Sequence, residues 1–569
     1  METVMHTATA KRVRSVRPVG TRAVLAELDG LQDVLALQDM LNKSPLPGQV
    51  DVLAAAETVM VVGESAAATR AIGARLLELE LIAPEITDSG LVVIETVYDG
   101  GDLADVAELT GLSVDGVIAA HTSQIWTVAF AGFAPGFGYM VGENEVLTVP
   151  RRSSPRTAVP AGSVALGGQY SAVYPRSSPG GWQLIGRTGA RMWDLDRAQP
   201  ALVRPGDRVQ YKAVREVVSA GAHSAGDASA GDSPAGDSDK ERHTGSGLRV
   251  LNPGAQSLIQ DLGRRGYGPL GVSAAGALDR ASLRRANRLV GNASSAAAIE
   301  SVNGGLTVEA IGDQVIAVAG APTTLTIESP SWVDSEGSDD DGYVQPGAQR
   351  TVPMAAPFAL LDGEVLTIGA PESGFRNYVA IRGGVDAPEV LGSRSADTMS
   401  GIGPAPLAVG QELPAGEATA STAVESPELQ PDFPGLPGQG VTVLDVIPGP
   451  RADWFDQEAL DSLCGQEWLV TPQSNRVGMR LDGTPLRRTR EGELPSEGTM
   501  AGALQIPPAG LPVLFLADHP ITGGYPVIGV VRDEHLDLAA QVPIGGRIRF
   551  RLVPDAPDFT TTITKSPEN

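Results

Sequence analysis

Gly132-Phe133-Ala134-Pro135-Gly136-Phe137-Gly138-Tyr139 stands just past the point where the chain changes texture. Upstream of it, apolar residues recur at helical spacing between short β-branched runs. Thr21 to Leu28 reads as a strand, and Leu31, Val34, Leu35 and Leu41 share one helical face. Thr58 to Val62 reads as a buried strand, Ala66 to Leu81 as a second helix and Leu91 to Val97 as another strand. Asp102 and Ser113 carry side-chain oxygens that accept from free backbone N–H groups. As N-caps they predict a third helix through Leu109 and a fourth ending near His121. From Ile125 onward Gly, Pro, Ser and Val alternate in short runs, which predicts tight turns and strands closing into a barrel or sandwich. The fold class is therefore mixed α+β at first and mainly β afterwards.

Outward from that stretch, one further break dominates. Residues 218–247 are small, polar or charged after Val218, so they cannot build a core and read as a disordered linker. The all-β texture resumes beyond it, with strands expected in Leu306 to Thr326, Glu364 to Ile381, Val441 to Ile447 and Leu511 to Leu516. Asp279 is a good N-cap for a helix with Ala281, Leu283, Ala286 and Leu289 on its apolar side, stopping at Gly291-Asn292. Asp453 to Cys464 predicts another helix, and Glu412 to Pro437 reads as a surface excursion.

Composition narrows the functions. The 569 residues are 42% hydrophobic and 20% charged, in the globular range, but only 4% aromatic, which disfavours stacking on nucleic-acid bases. Lys+Arg 43 against Asp+Glu 68 gives a formal charge of −25, a field that repels a phosphate backbone, so no nucleic-acid partner is expected. The single cysteine, Cys464, excludes an intrachain disulfide and a multi-thiolate zinc site, and reads as a small buried hydrophobe. Lys11, Arg12, Arg14 and Arg17 are followed by no apolar signal segment, and no apolar run is long enough to span a membrane. A cytoplasmic protein is expected. The dipeptide Gly-Lys never occurs, so any ATP is held without a P-loop. No Met-Lys-Met is present to carry biotin, and the six histidines form no metal-binding pattern.

Six dense Gly/Pro/Arg/Asp loops carry the candidate chemistry. In the first, Gly136 allows backbone to approach a ligand and Phe137 offers an aromatic wall, or the loop is a hairpin with an aromatic plug. The second runs from Pro150-Arg151 through Arg156 to Ser178-Pro179-Gly180-Gly181-Trp182. Arg156 can clamp a carboxylate or phosphate bidentately, or fix loops through backbone carbonyls. The third holds Gln260-Asp261-Leu262-Gly263-Arg264 and Gly276-Ala277-Leu278-Asp279, where Asp261 and Arg264 form either a structural ion pair or a base beside a cation. The fourth, Ser474 to Leu481, contains Arg476, and the fifth, Ser496 to Pro507, contains Gln505. The sixth is Ala517-Asp518-His519-Pro520-Ile521-Thr522-Gly523-Gly524-Tyr525-Pro526. Adjacent Asp518 and His519 point to opposite faces of a strand, which argues against a catalytic pair.

Together these loops make Gly132 to Trp182 resemble the B subunit of bacterial 5-oxoprolinase, the kinase-inhibitor or allophanate-hydrolase subunit 1 family. Gln260 to Tyr525 resembles the C subunit, the biotin-dependent carboxyltransferase or allophanate-hydrolase subunit 2 family. The chain looks like a fusion of the two. The resemblance implies an α/β domain over residues 1–110, a cyclophilin-like β-barrel over 111–217, and two more such barrels over 248–435 and 436–556. It also implies ATP-dependent opening of 5-oxoproline to glutamate, with ATP and accompanying Mg2+, no biotin on this chain, and a separate partner resembling the A subunit of 5-oxoprolinase. A homo-oligomer stays open. Arg156, Arg264, Arg382 and Arg476 then suit clamps for substrate or phosphate, with Gly136, Phe137, Gly180, Gly181, Gln505, Gly523 and Gly524 shaping the sites. His121, Asp261, Asp279 and Asp518 are the candidate bases. Two other readings follow from the same families: the carboxyltransferase component of a biotin-dependent urea carboxylase, and a regulator of a sensor histidine kinase.

Overall fold

The computed structural model describes residues 11–82, 90–152, 154, 156–216, 245–330, 332–333, 344–345, 347–418, 422–492 and 494–553. The expected linker lies outside these residues apart from 245–247, and Gly247 already opens the strand Gly247–Pro253. The chain forms two compact units. The first joins Met1–Pro84, Gly245–Gly268 and Val272–Asn569; the second joins Glu85–Thr244 and Pro269–Gly271.

The first unit begins with an antiparallel sheet in the order Ser15–Val19, Ala23–Glu27, Thr58–Gly63, Gln49–Ala54. Ala23–Glu27 is buried throughout, because both faces of this sheet are covered. On one face Val19, Ala23, Leu25 and Met60 pack with Phe515, Ile521, Val527 and Val530. Alternation turns Val24 and Ala26 to the opposite face, on the side of the helices Leu31–Lys43 and Ala66–Glu78. Ser65 caps the second of these, accepting from Ala68 N at 3.1 Å.

The residues that pack under the sheet belong to a closed barrel. Its strands run Val441–Pro448, Val527–Val531, Ala503–Gln505, Val513–Phe515, Gly478–Asp482, Trp468–Val470 and Arg547–Leu552, around Leu444, Trp468, Leu481, Leu504, Ile528 and Phe550. Its helix is Gln457–Gly465, capped by Asp456; Asp453 falls instead in a short 3-10 turn. A further helix, Asp533–Ala540, has no counterpart in the sequence reading. The module between linker and barrel is two sheets, of six and five strands, sharing a core of Val250, Ile259, Ile299, Val308, Ile316 and Leu366 rather than one continuous barrel. The helix Arg280–Leu289 lies on the five-stranded sheet through Leu283, Ala286 and Leu289. The expected excursion is tied down: Glu412–Pro414 pairs with Gly247–Pro253, and Glu428 accepts from Arg285 and Arg288.

The second unit is a seven-stranded sheet in the order Gln183–Arg187, Ser163–Gly167, Tyr170–Val173, Gly138–Gly142, Trp126–Ala131, Arg208–Ala213, Val92–Thr96. A bridge between Val97 and Arg187 joins its two ends, so it nearly closes. Val92–Thr96 pairs parallel with Arg208–Ala213, and the helices Leu103–Thr110 and Val114–Thr122 bury Leu103, Val106 and Val117 in the core of this sheet. The division therefore falls at Pro84/Glu85, where the sequence reading placed it after residue 110. Among the described residues no helix is long and apolar enough to cross a membrane.

Candidate functional site

Within the first unit a pocket of about 210 Å³ is lined by Arg22, Arg265, Arg280, Arg284, Asp533 and Asp537, over a floor that includes Ala277, Leu278, Leu516 and Ala517. Each charged group is placed by a local rule. Arg22 sits in the tight turn before Ala23–Glu27, where Gly20 takes φ 61°; it donates to Asp533 at 2.9 Å and to the Gly63 carbonyl at 3.1 Å. Arg280 and Arg284 are one turn apart on the helix Arg280–Leu289, so they share a face; Asp533 and Asp537 repeat that spacing on Asp533–Ala540. Arg265 follows the Asp261–Arg264 loop.

Asp537 accepts from the backbone N–H groups of Arg280 at 2.8 Å and Ala281 at 3.3 Å, two donors that a helix start leaves without intrahelical partners. Burial, reinforced by nearby Asp279, pushes its carboxyl up to about 6. Burial and then the neighbouring Arg265 pull Arg280 below the usual guanidinium range. The Arg265, Arg280 and Arg284 side chains make no hydrogen bond to the described residues, while Arg22 is engaged by Asp533. Four guanidiniums against two carboxylates leave a surplus of two positive charges on a chain whose formal charge is −25. Chemically, this is a cradle for a small anion.

Behind the floor, three residues singled out in the sequence converge. Arg476 spans Glu300 and Asp518, reaching the latter with Nε and Nη2 at 3.0 Å, and also donates to the Gly276 carbonyl at 2.6 Å. Burial works against this cation, but Asp518 and Glu300 outweigh it and hold Arg476 above its usual range. Burial likewise opposes ionisation of Glu300, and Arg476 with Arg376 reverses it. Tyr378 donates to Glu300 at 2.7 Å and accepts from Asp279 N at 2.8 Å. Asp279 caps its helix through Ser282 N at 2.8 Å and accepts from Gln541 at 2.7 Å. Thr398 saturates Asp518. These carboxylates brace the pocket wall instead of facing a ligand.

The other candidates in this unit also hold the framework. Asp261 accepts from Gly263 N, Ser393, Arg394 N and Ser395, all within 2.7 Å, and does not pair with Arg264. Arg264 is buried and bonds the carbonyls of Val390 and Ser395. Arg382 bonds the Val290 and Thr422 carbonyls at 2.8 and 2.6 Å, tying down the end of its neighbouring helix. Gln505 donates to the Tyr525 carbonyl at 3.1 Å, and Gly523 is close-packed, since a Cβ there would lie 2.5 Å from the Gln505 amide. A Cβ on Gly524 would stand 3.3 Å from the Leu494 carbonyl.

The second unit holds the remaining candidates. His121 is fully buried, with Nδ1 2.7 Å from the Tyr98 hydroxyl, Nε2 2.9 Å from Ser171, and its ring on Tyr211. Burial drives it down to about 3, so it is a neutral core imidazole with no open face for a substrate. Asp102 does not cap its helix. Its carboxylate takes Arg152 at 2.7 Å, Arg156 at 2.6 Å and Leu184 N at 2.7 Å, which makes Arg156 a loop tie. Phe137 is the buried plug, edge-to-face with Tyr139, Tyr174 and Trp182. Gly136 has φ 77° and Phe133 shares that left-handed region at 62°. Gly180 abuts the Tyr174 ring, and the Gly181 carbonyl accepts from Arg152 N at 2.7 Å.

The sequence reading thus reached the pocket's loops but named the neighbours of its lining residues. Arg264 and Asp279 turn inward; Arg265 and Arg280, one position on, face the pocket. The signal available was the Arg280/Arg284 pair at helical spacing directly after a recognised cap. Arg22, Asp533 and Asp537 carried no local signal. Among the described residues no group of three or more His, Cys, Asp or Glu is arranged to hold a metal ion.

Comparison with known proteins gives two family matches: "Carboxyltransferase domain, subdomain C and D" over residues 14–203, and "Carboxyltransferase domain, subdomain A and B" over residues 270–552. The C subunit of 5-oxoprolinase from Escherichia coli K12 is 37% identical over 306 residues, covering 53% of this chain and 90% of that protein. The B subunit of 5-oxoprolinase from Escherichia coli O157:H7 is 46% identical over 144 residues, 25% of this chain and 65% of that protein. Urea amidolyase of Lachancea kluyveri is 30% identical over 325 residues, 53% of this chain but 17% of that protein. The crystal structure of TTHA0988 matches at 31% identity over 93% of this chain and 99% of that chain, with a TM-score of 0.74.

Proposed function

Because the chain belongs to the carboxyltransferase-domain family that contains the B and C subunits of 5-oxoprolinase, and carries both parts in one polypeptide, we propose that it supplies the B and C functions of an ATP-dependent 5-oxoprolinase, acting with a separate partner of the A type. The observation that carries this reading is the pocket with two surplus positive charges. An unstrained lactam is a poor electrophile. Phosphorylation of its amide oxygen by ATP releases ADP and activates the ring carbon; water then adds at that carbon and the ring nitrogen departs as an amine, leaving an acyl phosphate, from which a second water displaces phosphate to give glutamate. Each stage puts negative charge on a small group that fixed guanidiniums stabilise without reorganising. At about 210 Å³ the pocket is below the roughly 300 Å³ at which drug-sized ligand sites begin, so it suits a small acid or a phosphoryl group and not a whole nucleotide. Magnesium would enter with the nucleotide, bound mainly by phosphate oxygens and water.

The test is reconstitution. The full chain mixed with an A-type partner protein, ATP and 5-oxo-L-proline is expected to form glutamate and ADP in equal amounts, and neither protein alone should do so. Absence of ATP-dependent glutamate with a partner that is competent with its own B and C subunits overturns the reading. A carboxyltransferase role in a urea carboxylase is favoured by the match to urea amidolyase, which spans 53% of this chain. It predicts instead that urea discharges a carboxylated biotin carrier when this chain is added.

A further inference from the structure

We propose that the pocket formed by Arg22, Arg265, Arg280 and Arg284 is a site for a phosphate dianion, and that protonation of Asp537 sets its affinity. The dianion preference follows from the pocket's own charge and size; its arrival as the phosphoryl group of an activated substrate rests on the 5-oxoprolinase reading. A monoanionic carboxylate neutralises only one of the two surplus charges, whereas a phosphate dianion neutralises both. Three guanidiniums without hydrogen bonds to the described residues, converging from a loop and from one helix face, offer forked N–H pairs that match the edges of a tetrahedral oxyanion. The apolar floor of Ala277, Leu278, Leu516 and Ala517 rests on the Arg476 network, so the guanidiniums are carried on braced elements.

Asp537 is the one carboxylate in the pocket that no side-chain cation engages; its bonds come from two backbone N–H groups. Facing it are Arg280 and Arg284 from the adjoining helix and Arg265 from the loop, with Asp533 and its partner Arg22 one turn back and Asp279 behind the wall. When Asp537 is ionised it opposes an incoming dianion, and when it is protonated it can donate to one. Its carboxyl sits near 6, so the change falls between about pH 5 and 7.5.

Calorimetric titration of the full chain separates these elements. Inorganic phosphate at pH 7.5 is expected to bind the parent, and at least about tenfold more weakly an Arg265→Ala/Arg284→Ala variant, whose altered side chains both reach solvent. Acetate should bind far more weakly than phosphate. Sulfate, which stays a dianion across the range, should bind the parent about tenfold more tightly at pH 5 than at pH 7.5, corresponding to a one-unit shift of Asp537 on binding. Asp537→Asn should flatten that dependence. Unchanged phosphate affinity in the double variant overturns the site, and a persisting pH dependence in Asp537→Asn overturns the role of Asp537. Competition with a non-hydrolysable ATP analogue identifies the bound group as a nucleotide's terminal phosphate; simultaneous binding assigns it to the substrate side. Phosphate binding without glutamate formation in the reconstituted mixture sinks the functional reading and leaves the site standing, and the converse pair of results does the opposite.

Discussion

Arg476 ties two modules of the first unit together: Glu300 comes from the five-stranded sheet and Asp518 from the barrel. Its side chain is 2% exposed and those of its partners 1% and 0%, so removing the cation alone strands two carboxylates in the interior. Arg476→Met is expected to cost about 3–5 kcal/mol, read as a lowered denaturant midpoint. Lysine should rescue little, because one ammonium cannot reproduce the fork that meets Asp518 through two nitrogens. A loss below about 1 kcal/mol would mean the network contributes no more than an exposed pair. That Arg476, Asp518 and Asp279 matter is legible from charged residues packed into Gly-rich loops. That they brace a wall is not, because the partner Glu300 lies 176 positions from Arg476.

At the scale of elements, the helices with ordinary signals were legible. Ser113 and Asp279 cap as their types predict, accepting from Gly116 N and Ser282 N. Asp102 has the same chemistry but is claimed by two arginines and Leu184 N, a tertiary competition no local pattern announces. Asp533–Ala540 was missed because it is eight residues long, has no side-chain cap at Arg532, and carries its apolar residues together near one end instead of along a stripe. Its loss from the reading removed Asp533 and Asp537 from the candidate site. The N-terminal sheet's place in the first unit was equally hidden, since it depends on close approach at Gly498: a Cβ there would stand 2.7 Å from the Met60 Cβ. Gly498→Ala should therefore cost about 1–3 kcal/mol by overpacking. Gly101→Ala, with nothing within 4 Å, should stay within about 0.5 kcal/mol of the parent in the same unfolding assay. Equal effects of the two changes would dissociate the strand Glu497–Gly498 from the stability of this packing.

On the scale of the whole molecule, the −25 charge says little about how each unit responds to acid, because that response is set by buried groups whose shifts run in both directions. In the second unit His121 is held down to about 3 by burial, whereas an unfolded histidine titrates near 6.5. The unfolded chain therefore takes up the proton first. This unit loses about 1.4 kcal/mol for each pH unit below 6.5, continuing until about pH 3. In the first unit burial raises Asp51 and Asp537 to about 6, so the native state binds protons more readily there; their contribution is full below the unfolded value near 3.8 and is lost as pH rises through 6. Burial alone would raise Glu27 too, but Ser15, Arg451 and Arg17 hold it at about 2, so its contribution is full above the unfolded value near 4.5 and is lost as pH falls from there through 2. Between about pH 6.5 and 4.5 the second unit loses through His121, whereas in the first the gain at Asp51 and Asp537 opposes a loss at His519, which burial also lowers. Hydrogen exchange resolved by peptide reads both at once. Protection across Trp126–Ala131 should fall over this interval more steeply than that across Val441–Pro448, where Asp51 and Asp537 oppose His519, and His121→Gln should remove most of the fall. A parallel decline in both peptides, or a slope unchanged by His121→Gln, would place the acid sensitivity elsewhere than in this buried imidazole.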